Sequence, residues 1–123
     1  MKRATRVVVI EDDDAIREIL QLALSGEGYE VREARNGEEG LALLASDRAE
    51  LVLVDMKMPV MDGAEFCRQY SLRPEPTAPV IVLTAASQAI EAAALPCVIE
   101  AIAKPFELDE LLEAVARNAR GPA

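Results

Sequence analysis

The sequence contains no histidine and no tryptophan, and its only other aromatics are two Phe and two Tyr. Without histidine the chain cannot build a Ser–His or Cys–His nucleophile pair or a Cys/His zinc finger, nor can it carry a phosphohistidine of its own. Its two cysteines, Cys67 and Cys97, lack C-x-x-C spacing and read as reduced packing residues. No apolar stretch approaches the ~18–20 residues that span a bilayer, so membrane insertion is not expected. The basic start (Lys2, Arg3, Arg6) precedes only the short apolar run Val7–Ile10, and acids follow at once, unlike a signal peptide. A soluble, cytoplasmic protein is expected. Positive charge is also scarce: 13 Lys+Arg against 22 Asp+Glu give a net charge of −9, which argues against direct nucleic-acid binding.

What is present points to one α/β domain. A chain of 123 residues that is 51% hydrophobic can bury a core without disulfides or metals. Apolar runs, mostly β-branched, recur at Val7–Ile10, Leu51–Val54, Val80–Leu83 and Val98–Ala103, and continuous apolarity predicts strands buried on both faces. Tyr29–Arg32 alternates, as an edge strand with one wet face does. Between the runs lie helical patterns. Ile16, Ile19, Leu20, Ala23 and Leu24 form one stripe; Leu108, Leu111, Leu112, Val115 and Ala119 form another. Asn36 with Glu39, and Asp62 with Glu65, have the spacing of an N-terminal capping box. Gly26 and Gly28 should stop the first helix, and cations near Arg117 and Arg120 suit the negative end of the last. Pro74–Pro79 reads as a short stiff loop. Strand–helix repeated five times predicts a parallel sheet with helices on both faces.

In such sheets ligands sit beyond the carboxyl ends of the strands. Glu11, Asp12, Asp13 and Asp14 follow the first run, Asp55 the third, Thr84 the fourth and Lys104 the fifth. Asp13 and Asp14 are accounted for as acids at a helix start. Glu11, Asp12 and Asp55 are not, because adjacent carboxylates at buried strand ends repel one another unless a cation joins them. Oxygen donors without His or Cys favour Mg²⁺ over zinc. The three acids are balanced by the charges of Mg²⁺ and Lys104.

The segments Val9–Asp14, Val54–Gly63 (Val-Asp-Met-Lys-Met-Pro-Val-Met-Asp-Gly), Leu83–Ala85 and Lys104–Phe106 resemble the receiver domain of two-component response regulators. The resemblance spans nearly the whole chain. It implies a flavodoxin-like doubly wound (βα)5 fold with a five-stranded parallel sheet in the order 2-1-3-4-5. It also implies that Asp55 is the phosphoacceptor, served by a sensor histidine kinase or a histidine phosphotransfer protein. Asp12 would hold Mg²⁺ directly and Glu11 through water, with Asp55 and the Lys57 backbone carbonyl as further ligands. Thr84 and Lys104 would each meet a phosphoryl oxygen. Pro59 and Gly63 would shape the loop behind the acceptor, and the Lys104–Pro105 peptide would be cis.

The chain departs from that pattern in its second half. Ala101 stands where the family has a Tyr or Phe switch, Pro96 falls where the fourth helix should end, and that helix is expected to be short, Ser87 to Leu95 at most. These departures bear on output rather than on phosphorylation. Residues 1–123 are read as a single receiver domain, which signals to an unknown output protein or passes the phosphoryl group on, and which catalyses only its own phosphorylation and dephosphorylation. A receiver domain cut from a larger kinase is also compatible. The principal alternative is a receiver-fold interaction module that works without phosphorylation. An Mg²⁺-dependent hydrolase would need Asp-x-Asp, and Lys57 occupies that second place.

Overall fold

The computed structural model describes residues 4–74 and 78–119. Residues 75–77 of the proline-rich loop, Arg120 and the rest of the tail, and the first three residues lie outside the described residues. The chain runs β1 (Arg6–Ile10), α1 (Asp14–Gly26), β2 (Glu30–Ala34), α2 (Gly37–Ser46), β3 (Leu51–Asp55), α3 (Gly63–Ser71), β4 (Val80–Ala85), a 3₁₀ turn (Ala86–Gln88), α4 (Ala89–Ala93), β5 (Val98–Lys104) and α5 (Leu108–Asn118). All strand pairs are parallel, and the order is β2-β1-β3-β4-β5. The implied fold is the observed one. Its order reverses between β1 and β3, which opens a crevice at their carboxyl ends.

The helix starts follow from local chemistry. Asn36 Oδ1 accepts from Glu39 N at 2.9 Å, and Asp62 Oδ1 accepts from Glu65 N at 2.9 Å. Glu39 Oε1 returns the favour to Arg35 N at 3.0 Å, one residue earlier than a strict capping box. Asp13 caps α1 by accepting from Ile16 N at 3.0 Å. Gly28, at φ 94°, supplies the left-handed turn that redirects the chain after α1 into β2.

The sheet divides the core into two layers. One layer holds Val8, Ile10, Val52, Val54, Val80 and Val82 under α2 and α3, with Phe66 stacked on Tyr70 at a ring separation of 5.4 Å. The other holds Val7, Val9, Leu51, Leu53, Ile81 and Leu83 under Leu20 and Leu24 of α1 and Leu111 and Val115 of α5. Alternate residues of β1, β3 and β4 enter opposite layers, so these runs are apolar throughout. Cys67 lies in the first layer, where burial pushes its thiol up to about 12. It is a buried packing residue.

One expectation changes. The run at Val98–Ala103 does form a strand, but β5 lies at the sheet edge, so it is not buried on both faces. Ile102 is its one buried residue, whereas Ile99 is 54% exposed. The fourth helix is short and lies within Ser87 to Leu95, as expected: Ala89–Ala93, five residues without a side-chain cap, with Ala92 alone buried. The alternating segment does form the other edge, displaced to Glu30–Ala34.

Candidate phosphoacceptor and metal site

Because every strand is parallel, the ends of β1, β3, β4 and β5 open on one side of the sheet. The tip of β1 delivers Glu11 and Asp12, β3 ends in Asp55, and Thr84 and Lys104 lie in the last residues of β4 and β5. Carboxylate oxygens of Glu11, Asp12 and Asp55 lie within 4.8 Å of one another. Glu11 and Asp55 are buried, and Asp12 faces solvent. Lys104 Nζ donates a short hydrogen bond to Asp55 Oδ1.

The electrostatics of this cluster are set by burial. The Glu11 carboxyl is pushed up to about 7, chiefly because burial penalises its charge. The hydrogen bond from Asp13 N to Glu11 Oε2, at 3.1 Å, works the other way, as does the Lys104 charge; Asp55 and Asp12 push it further up. Two buried oxygens here have no hydrogen-bond partner, Glu11 Oε1 and Thr84 Oγ1. A buried oxygen without a partner is costly, by ~1–3 kcal/mol. Both ask for something to enter the crevice. Three carboxylates of hard oxygen donors fit a divalent cation, and the Thr84 hydroxyl, near the end of the strand next to β3, fits an anionic oxygen.

The loop behind Asp55 is tight. Gly63 N donates to Met56 O at 3.0 Å, and a Cβ on Gly63 would stand 2.7 Å from Asp55 O. Only glycine lets α3 begin against the main chain of Asp55 and Met56. Pro59, Val60 and Met61 form a turn closed by a 2.7 Å hydrogen bond from Met61 N to Pro59 O, with Val60 at φ 70°. Met61 O in turn receives Gly37 N at 3.1 Å, tying the loop to α2. Lys57 is exposed in the segment after β3, two residues beyond Asp55. The Lys104–Pro105 peptide is cis. Ala101 pairs with Val82 in the sheet and packs against the α3-side core.

Glu11, Asp12, Asp55, Thr84 and Lys104 thus all lie at one end of the sheet, with Lys57 in the exposed segment that follows β3. Arg17 also meets the Glu11 main chain, although no motif in the sequence marks it. Its guanidinium donates from Nη1 to Glu11 O at 2.9 Å and from Nη2 to Asp14 Oδ1 at 2.5 Å, and its Nε lies 3.3 Å from Glu33 Oε1. The one signal in the sequence is a cation three residues after Asp14, within reach on the same helix face.

The arrangement has known counterparts. The response regulator receiver domain pattern matches residues 7–116. The chain is 43% identical over 109 residues to the response regulator MprA of Mycolicibacterium vanbaalenii, a match covering 87% of this chain and 47% of that protein. It is 40% identical over 111 residues to MprA of Mycobacterium tuberculosis, covering 89% and 48%. The chain therefore spans about half the length of the curated relatives it matches. Among solved structures, the response regulator TrrA of Thermotoga maritima, in complex with Mg²⁺-BeF, superposes with a TM-score of 0.81 at 35% identity, over 92% of this chain and 97% of that one. The signal receiver domain of a signal transduction histidine kinase from Syntrophus aciditrophicus gives 0.84 at 31% identity, over 93% and 89%. Motif order, sheet order and these matches agree: the chain belongs to the response regulator receiver domain family of two-component signalling.

Proposed function

We propose that this receiver accepts a phosphoryl group on Asp55 from a phosphohistidine of a sensor kinase or phosphotransfer protein, in an Mg²⁺-dependent reaction. The observation that carries this reading is the gathering of the Lys104 ammonium and the Glu11 and Asp12 carboxylates around Asp55, with the unpartnered Thr84 hydroxyl near the end of the neighbouring strand β4. An Asp55 carboxylate oxygen attacks phosphorus; the new O–P bond forms as the P–N bond to the donor imidazole breaks, and the ring nitrogen keeps the electron pair. Lys104 pairs with a phosphoryl oxygen, and Thr84 Oγ1 donates to another. Asp12, Asp55 and the Lys57 carbonyl would hold the Mg²⁺, with Glu11 acting through water. When bound there, Mg²⁺ would supply positive charge against the carboxylate repulsion and the phosphoryl oxygens, which is much of what phosphoryl transfer needs.

A macromolecular donor fits the surroundings. An open apolar groove of about 520 Å³, lined by Ile16, Ile19, Leu20, Lys104, Pro105 and Phe106 among others, adjoins the site through Lys104. The chain acts on no external substrate in this reading; its output is a conformational change read by another protein, or onward transfer to a histidine. A cytoplasmic setting without direct nucleic-acid contact suits the net charge of −9, and no helix among the described residues is long and apolar enough to cross a membrane.

The short α4 and Ala101 favour one alternative, an interaction module that needs no phosphorylation. Acetyl phosphate with Mg²⁺, read by intact mass, separates the two. The first reading expects one added phosphoryl group on the wild type and none on Asp55→Asn. Uptake by Asp55→Asn at the wild-type rate rejects the assignment of the acceptor, and a wild type that takes up nothing favours the interaction module.

A further inference from the structure

Glu11, Asp12, Asp13 and Asp14 are consecutive acids, and the first two must project from one junction to share a cation. Mutual repulsion works to spread them. Arg17, on the first turns of α1, is placed against that junction. It reaches the Glu11 main-chain carbonyl, Asp14 on its own helix and Glu33 on β2, with its side chain 12% exposed. We propose that Arg17 is a positioning residue for the cation: its guanidinium clamps the main chain at Glu11 and fixes the junction from which the Glu11 and Asp12 carboxylates project. The proposal rests on the reading that these acids hold a divalent cation.

The guanidinium is suited to this by shape. Its N–H groups point in fixed, coplanar directions, so three acceptors set its plane and its plane sets the carbonyl it binds. A lysine has one point-like head and a flexible stem, and cannot hold the same three positions. The charge of Arg17 acts in the opposite sense from its geometry, because a cation near the site repels Mg²⁺. Asp14 at 2.5 Å and Glu33 at 3.3 Å already offset that charge, which leaves the hydrogen bond to Glu11 O as the larger effect. The two contributions therefore predict opposite signs. Loss of charge alone would tighten metal binding; loss of the clamp weakens it.

The test is isothermal titration of Mg²⁺ into the wild type, Arg17→Ala, Arg17→Lys and Asp12→Ala, with Tm measured in parallel on the metal-free proteins. Arg17→Ala and Arg17→Lys are each expected to weaken Mg²⁺ binding by about tenfold, in the range usual for residues that orient metal ligands. Asp12→Ala should weaken it more. Arg17→Lys keeps the charge and the helix propensity, so it decides the matter if Arg17→Ala does not fold. A lowered Tm with unchanged Mg²⁺ affinity in both Arg17 variants, or tighter binding by Arg17→Ala, overturns the positioning role while the metal site stands. A wild type that binds no Mg²⁺, or an Asp12→Ala variant that binds it equally well, overturns the site reading and the role of Arg17 with it.

Discussion

Lys104 Nζ donates to Asp55 Oδ1 across a sequence separation of 49 residues, joining the end of β5 to the end of β3. Lys104 is partly exposed and Asp55 is buried, so the ammonium compensates a carboxylate that water cannot reach well. Lys104→Ala should lower the stability of the metal-free protein by ~1–3 kcal/mol, the scale of a hydrogen bond to a charged group. Mg²⁺ binding should be unchanged or tighter, since a nearby positive charge is gone. Denaturant melts and a metal titration check both; weaker Mg²⁺ binding would show that Lys104 acts on the cation site in some other way.

The pH dependence follows from Glu11. Its carboxyl, ordinarily near 4.5, is raised to about 7 in the folded metal-free protein. The folded state then binds more protons than the unfolded state between those values, so the contribution of Glu11 to stability falls as pH rises from about 4.5 to about 7. A cation needs the ionised form, so Mg²⁺ binding should release a proton near neutrality and strengthen with pH up to that point. Glu11→Gln should remove both effects. Equal proton release by wild type and Glu11→Gln, measured in buffers of different ionisation enthalpy, would assign the titration elsewhere.

Gly63 and Gly26 make a controlled pair. A Cβ at Gly63 would meet Asp55 O at 2.7 Å and Met56 Cα at 2.8 Å, whereas one at Gly26 meets nothing within 4 Å. Main chain cannot yield as a side-chain tip can. Gly63→Ala should destabilise by ~1–3 kcal/mol, as overpacking does, and should slow phosphoryl uptake by displacing the acceptor. Gly26→Ala should be neutral or stabilising by up to ~1 kcal/mol, through the unfolded chain. Thermal melts that rank the two alike would contradict the packing argument.

The segment after β4 should be the most responsive part of the fold. α4 has five residues, no side-chain cap, and Ile90 is 89% exposed, so few contacts oppose its opening. Ala101 has no side-chain torsion to switch, which leaves main-chain movement of Ala85 to Ser87 to convey a pull on Thr84. Beryllofluoride with Mg²⁺, a phosphoryl mimic, should raise hydrogen-exchange protection at residues 85–97 more than at 108–119. Protection gained only at 108–119 would place the route elsewhere.

Much of this protein is determined by its sequence locally. The runs of β1, β3 and β4 announce buried strands because both faces of each are covered. Asn36, Asp62 and Asp13 start helices through hydrogen bonds three residues long. The site residues were legible because each stands immediately after such a run, and parallel strands bring their carboxyl ends together. Other features were decided by tertiary structure alone. The apolar run of β5 reads like the others, yet its edge position leaves Ile99 in solvent, since strand order is set by crossovers rather than by composition. The tight approach of Gly63 to Asp55, the raised Glu11 carboxyl and the reach of Arg17 to Glu33 all depend on neighbours distant in the chain. Periodicity and capping act over a few residues; burial, clearance and charge coupling act through space, and only the folded arrangement sets those distances.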